Sequence, residues 1–166
     1  LFLVPSLCII YATWNYNVHM HHVQVKYKIL RDTATVPTYQ SEHAAGVDLH
    51  SANTEDIAIS PGKIAMIPLG FAMALPDNYE AQVRPRNGLA SKFGVTLPNS
   101  PGTIDADYRG ECCVPLINHG SKPFTVEPNM RIAQMIIAPV VQATFEVVEE
   151  LDETVRGAGG FGSTGA

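Results

Sequence analysis

An all-β sandwich or barrel with one short helix is the fold class the sequence predicts, on three observations. Apolar residues alternate with period two along short runs, turn-forming residues recur between the runs, and almost no stretch is long enough for a packed helix. The first run in chain order is "VQVKYKIL", and "KIAMIPLG" follows after the turn signal "SPG". In "FAMALPDNYEAQVRPR", Phe71, Met73 and Leu75 alternate with small alanines, and Tyr79, Ala81 and Val83 alternate with Glu80, Gln82 and Arg84, two strands around the turn "PDN". The candidate helix is one to two turns at "GLASKFG", directly after "RPRN". Three further strands are expected at "ECCVPLIN", "RIAQMIIAPV" and "ATFEVVEE", with "NHGSKP" and "EPN" as turns among them. No internal repeat or linker interrupts this order, and only the last ten residues are low in complexity.

Length and charge narrow the function classes. With 166 residues there is room for one domain with a real core. A formal net charge of −5 argues against general binding of nucleic-acid phosphates, which needs clustered Lys and Arg, so an anionic ligand must be held by a local arrangement. The three cysteines, Cys8, Cys112 and Cys113, are odd in number and form no C-x-x-C pattern; a reducing, cytoplasmic compartment is expected. "LFLVPSLCIIYATW" is apolar for about a dozen residues, short of the roughly 20 a membrane span needs, and Pro5 interrupts it. It also lacks the flanks of a secretory signal. Met20 opens "MHHVQVKYKIL", which reads as the start of an ordinary domain. The expected organisation is an extension outside the core fold over residues 1–19, a β domain over 20–150, and a Gly-rich C-terminal arm over 151–166. The His19, His21 and His22 trio has nothing to fix a metal geometry and reads as solvated.

Five short stretches carry polar or glycine residues that a plain β-sandwich does not require. In "AAGVDLHSA", Asp48 sits on an otherwise apolar strand after Gly46. "RPRNGLASKFG" sets two arginines before Asn87 and Gly88 at the candidate helix start, where unpaired N–H groups and a guanidinium fork suit an anion. "LPNSPGTIDADYRGE" looks like a hairpin with Pro101 and Gly102 at its tip; Asp105 and Asp107 would share one side of a regular strand, and one could act as a base on water. "RIAQMIIAP" places Arg131 and Gln134 in a strand, where an amide in an apolar run must find a partner. The tail "RGAGGFGSTGA" formally contains G-x-G-x-x-G, but a dinucleotide site needs a preceding strand, a following helix and an acid about 20 residues on, which the four residues after Gly162 do not supply. Each stretch taken singly also has an ordinary explanation: a turn cap, solvated arginines, hairpin chemistry, an amide bonded to backbone, a loose tail.

All five in this order resemble the five ordered motifs of the trimeric deoxyuridine triphosphate nucleotidohydrolases, the dUTPases, and in particular the bacterial form. The resemblance runs from about Val23 to Gly165. It implies a jelly-roll β-fold, a homotrimer with active sites built from more than one subunit, and hydrolysis of dUTP to dUMP and pyrophosphate. That reaction limits uracil in DNA and supplies dUMP for thymidylate synthesis. By the same resemblance Asp105 is the base that activates water for attack on the α-phosphorus, and Gln134 contacts the α-phosphate region and that water. Tyr108 lies against the deoxyribose and leaves no room for a 2′-hydroxyl. Asn99 with Gly102, Thr103 and Ile104 reads uracil. Arg86, Asn87 and Gly88 form the phosphate-binding turn, and Asp48 orients that arginine or the water shell of a Mg²⁺ held mainly by the triphosphate. Arg156, Ser163 and Thr164 match the γ-phosphate clamp, and Phe161 with Gly162 the lid over the base. dUTP is the implied ligand, with no nucleic-acid or membrane partner.

One position departs from the pattern. The family usually has Ser where this chain has Asn87, and the longer amide is expected to slow the enzyme. Losing a hydrogen bond to a charged group costs about 1.5–3 kcal/mol, roughly ten- to a hundredfold in rate if it acts in the transition state. The rival expectations are a nucleotide-binding or regulatory module disabled at Asn87, a dCTP deaminase of the same fold, and a structural jelly roll.

Overall fold

The structure, a computed structural model, describes residues 22–160. The extension expected over 1–19 and the tail residues Phe161, Gly162, Ser163 and Thr164 lie outside them. Eleven strands and one helix follow in order: β1 (Lys26–Ile29), β2 (Val47–His50), β3 (Ile57–Ile59), β4 (Ile64–Pro68), β5 (Phe71–Ala74), β6 (Tyr79–Pro85), α1 (Asn87–Phe93), β7 (Val95–Thr96), β8 (Gly102–Ile104), β9 (Cys113–Asn118), β10 (Phe124–Val126) and β11 (Arg131–Pro139).

Every pairing is antiparallel, and the pairs are nested: β2 with β11, β3 with β10, β4 with β9. The chain is thus a long hairpin wound on itself, with β5 taking β1 as partner and β6 inserted between β11 and β8. Period-two patterning drives this arrangement, because one face of each strand has apolar side chains to bury. In β9, Val114 and Leu116 are buried while Cys113, Pro115 and Ile117 are half-exposed, as the alternation requires. Phe71, Leu49, Ile67, Leu69 and Ile132 are almost wholly buried in the shared core. One polar pin crosses it: buried Asn118 donates to the carbonyls of Ile59 and Lys122 at 2.8 Å each and accepts from Gly120 N–H at 2.8 Å.

Helix α1 occupies the expected place. It buries Leu89 and ends at Gly94, which is left-handed at φ 69° and donates to the carbonyls of Leu89 and Ala90. No other residue suits Gly94, since a Cβ there would also lie 2.9 Å from the amide of Gly120.

Three expectations are corrected. The strand predicted at "ATFEVVEE" does not form: Phe145 is 91% and Val147 99% exposed. Its alternation is that of a strand, but a strand exists only through a neighbour's hydrogen bonds, and this stretch pairs with nothing in the described chain. The hairpin expected around Pro101 and Gly102 is a crossover instead, because β7 pairs with β9 in one sheet and β8 with β6 in another. Nor do Asp105 and Asp107 share a regular strand. β8 stops at Ile104, and a turn closed by Tyr108 N–H to the carbonyl of Asp105 at 3.2 Å follows.

Candidate active site

The polar residues singled out in the sequence gather at two places. The first is a cleft of about 420 Å³ whose wall includes Asn99, Thr103, Ile104, Asp105 and Tyr108. Strand β8 supplies its floor. Gly102 and Ile104 pair with Val83 and Ala81 of β6, and β8 is the outermost strand of the order β2-β11-β6-β8. Its outer edge therefore keeps backbone N–H and C=O groups for a ligand. Gly102 packs closely against Asn99: a Cβ on it would come 3.1 Å from the Asn99 amide nitrogen, which would have to give by a few tenths of an ångström. Beyond β8, Arg109 Nη1 ties the turn by donating to the carbonyls of Ala106 and Tyr108 at 2.7 and 2.8 Å. Tyr108, 45% exposed, folds its ring over Gly110 and donates its hydroxyl to the carbonyl of Glu111 at 3.1 Å.

Met66, Glu111, Cys112, Cys113 and Pro115 complete the cleft, and sequence reasoning missed them. A signal existed for Glu111, an acid next to a glycine at the head of an apolar strand. None existed for Met66 and Pro115, which meet through the β4–β9 register. Burial pushes the Cys112 thiol up to about 11 and raises that of Cys113, so neither is an activated nucleophile.

The second place is a cluster around Asp48. The register sets Gln134 of β11 between Asp48 of β2 and Arg84 of β6. Asp48 Oδ1 lies 3.6 Å from Arg86 Nε, and Oδ2 3.1 Å from Arg131 Nη1. Arg86 Nη1 donates to the Arg131 carbonyl at 2.9 Å. The carboxylate thus aims two guanidiniums. Gln134 Nε2 donates to the carbonyl of Pro85 at 2.9 Å, which satisfies its amide locally. Arg84 turns away and bonds to Gln82. Asn87 and Gly88 are exposed at the start of α1, where no side chain caps the helix and a Cβ on Gly88 would meet only open space. His50, paired with Arg131, is held below its ordinary pKa by desolvation; Asp48 opposes the shift and the two arginines add to it.

Among the described residues no group of three or more His, Cys, Asp or Glu is placed to hold a metal ion. Asp48, faced by two guanidiniums, does not form a cation site by itself. None of the described helices is long and apolar enough to cross a membrane.

The two places do not meet within one chain. By the registers, Ile104, next to Asp105, lies opposite Ala81 of β6, while Gln134 lies opposite Arg84. Three residues along and two strands across separate Ile104 from Gln134 by roughly 14 Å at about 3.3 Å per residue and 4.8 Å per strand. Arg156 is also apart, with its Nε bonded to the carbonyl of Gly159 in its own turn at 2.8 Å.

The family model described as dUTPase matches residues 32–165. Curated relatives include the deoxyuridine 5′-triphosphate nucleotidohydrolase of Syntrophotalea carbinolica, 53% identical over 88% of this chain and 99% of its own length. That of Rickettsia felis is 57% identical over 86% of this chain and 97% of its own length. Among solved structures, the dUTPase of Staphylococcus bacteriophage 80alpha with dUpNHpp superposes with a TM-score of 0.79 at 26% identity, covering 86% of this chain and 99% of its own. The nested antiparallel strands are the jelly roll of that family. A jelly roll that keeps the five polar stretches in order, and is matched over most of its length by bacterial nucleotidohydrolases, belongs to the dUTPase family.

Proposed function

We infer that this chain is a dUTP diphosphatase, which hydrolyses dUTP to dUMP and pyrophosphate in a homotrimer. The observation that carries the inference is the cleft in which Asp105 shares a wall with Asn99, the outer edge of β8 and the Tyr108 ring. Uracil fits the β8 edge, where one backbone N–H and one C=O complement its donor and acceptor pattern; cytosine presents the opposite pattern and leaves both groups unpaired. Tyr108 closes the sugar side against a 2′-hydroxyl. Asp105 takes a proton from a water molecule as that water attacks the α-phosphorus. The bond from this phosphorus to the bridging oxygen breaks, pyrophosphate leaves with the electron pair, and the proton passes to solvent. Arg86, aimed by Asp48, with the N–H groups of Asn87 and Gly88, neutralises phosphate charge. Mg²⁺ would be held mainly by the triphosphate, with Asp48 reaching it through water, and would offset the phosphate charge when bound. Phe161, Ser163, Thr164 and Arg156 are assigned to the closing lid.

The homotrimer is supported by three features. Asp105 lies too far from Gln134 and Arg86 for one chain to complete the site. The outer face of the β4–β9 sheet is apolar, with Ile64 57% and Met66 61% exposed beside Pro115 and Ile117, and it borders the cleft. Val141, Phe145, Val147 and Leu151 are exposed along the segment leading to the arm, as suits a strand made for a neighbour. The cytoplasm is the proposed location.

Pyrophosphate release from dUTP, beside dTTP, dCTP and UTP at micromolar concentration with Mg²⁺, tests the assignment. Only dUTP is expected to turn over rapidly, and Asp105→Asn to lower kcat about 10²–10⁴-fold, the usual contribution of a positioned base. Release of ammonia from dCTP, or an Asp105→Asn variant as fast as the parent, overturns it.

A further inference from the structure

An ion pair with no part in the roles above converges on Tyr108. Arg31, just after β1, donates from Nε to Oε1 of Glu111 at 2.6 Å and from Nη2 to Oε2 at 2.8 Å, the two-pronged fit of a guanidinium on a carboxylate. Oε1 also accepts from the backbone N–H of Gly70 at 3.2 Å. Gly70 in turn gives its carbonyl to the amides of Leu30 and Arg31 at 2.8 and 3.1 Å. It can carry no side chain, being at φ +74° with the Cβ atoms of Ala34 and Ala52 2.9 Å from where its own would stand. Three segments distant in sequence thus close on one carboxylate.

The backbone of Glu111 meets the nucleotide side. Its carbonyl accepts the Tyr108 hydroxyl, and the ring between them lies so close over Gly110 that a Cβ there would come 2.6 Å from Cζ. An ion pair whose side chains are 47% and 25% exposed adds little to global stability, so its effect lies in geometry. Displacing Glu111 moves the acceptor that holds the ring.

We propose that the Arg31–Glu111 bridge is a positioning device for Tyr108, and through it sets how strongly the enzyme prefers deoxyribonucleotide over ribonucleotide. The proposal rests on the assignment of Tyr108 to the sugar. A ring tethered at its hydroxyl and pressed on a glycine is a fixed wall; with the tether loosened, the wall yields to one added oxygen.

The test is the ratio of kcat/KM for dUTP to that for UTP in the trimeric enzyme. Arg31→Ala and Glu111→Gln are each expected to lower the ratio about five- to twentyfold, mainly through gain on UTP, with kcat of Arg31→Ala on dUTP within about twofold of the parent. The double variant is expected to be no worse than either single one, since both break one bridge. Tyr108→Phe, which keeps the ring and loses only the tether, should shift the ratio the same way by at least as much. A ratio unchanged in Arg31→Ala and Tyr108→Phe while Tyr108→Ala changes it overturns the positioning role alone. A ratio unchanged in Tyr108→Ala overturns the sugar assignment, and this proposal with it.

Discussion

The cleft around Asp105 and the cluster around Asp48 are built in opposite ways. The cleft's principal wall is one contiguous stretch, Asn99 to Glu111, shaped by an edge strand, a turn and a ring laid on a glycine. The cluster takes Asp48, Arg86 and Gln134 from three regions of sequence and places them by sheet register. On the proposed function, the contiguous wall takes the base and the sugar and the register-built cluster faces the phosphate chain. The two lie apart in the described chain, one set by local sequence and the other by strand pairing.

The sharpest way to break this contrast is complementation. Asp105→Asn and Arg86→Ala proteins are each expected to be nearly inactive. Mixed by co-refolding, they should regain about a quarter of parental activity, the share of sites that draw an intact Asp105 and an intact Arg86 from different subunits under random assembly. No recovery in the pyrophosphate assay would mean that both residues serve one site from the same chain. Next in size is Asn87→Ser. On the phosphate side it is expected to raise kcat about ten- to a hundredfold by restoring a short donor, with KM for dUTP little changed. A fall in kcat would show that the amide is well accommodated.

A smaller effect probes the scaffold that both regions share. Asn118→Ala removes three buried hydrogen bonds between β9, β3 and the following loop, and is expected to lower stability by about 2–4 kcal/mol in urea unfolding. Nucleotide selectivity should be untouched. The smallest effect belongs to the clamp beside the cleft. Hydrogen bonding from Arg31, offset in part by burial, holds the Glu111 carboxyl below its ordinary 4.5. A carboxyl with a depressed folded pKa contributes stability above its unfolded pKa, and that contribution is lost as pH falls through the folded value. The Tm difference between parent and Arg31→Ala should therefore be constant at neutral pH and shrink below about pH 4.5. A difference that does not change down to pH 3 would show that the pair is not coupled to folding.

Asp105 illustrates both what the sequence disclosed and what it concealed. Its candidacy as a base on water was legible in "IDADY" because the acid and the ring are neighbours in sequence, and local chemistry is written in adjacent residues. Its setting was not: it follows the strand rather than lying in it, since β8 ends at Ile104 and the chain turns through the bond from Tyr108 N–H to the Asp105 carbonyl. The stretch 143–150 failed as a strand for a related reason. Alternation announces a face to be buried, but only another chain segment supplies the edge that makes the ladder.

From the sequence alone followed the all-β class, the helix, the longer strands up to residue 139, and the residues of the five polar stretches; the short strands β3, β7 and β10 were not anticipated. Periodicity, turn chemistry and motif order are properties of neighbours along the chain. Only the tertiary structure decided that β7 and β8 part into different sheets, that Arg31 reaches Glu111 across 80 positions, and that Asp105 stands apart from Gln134. Those outcomes depend on which strands pair and in what register. Register is selected by the burial of the whole set of side chains at once, so no local window contains it.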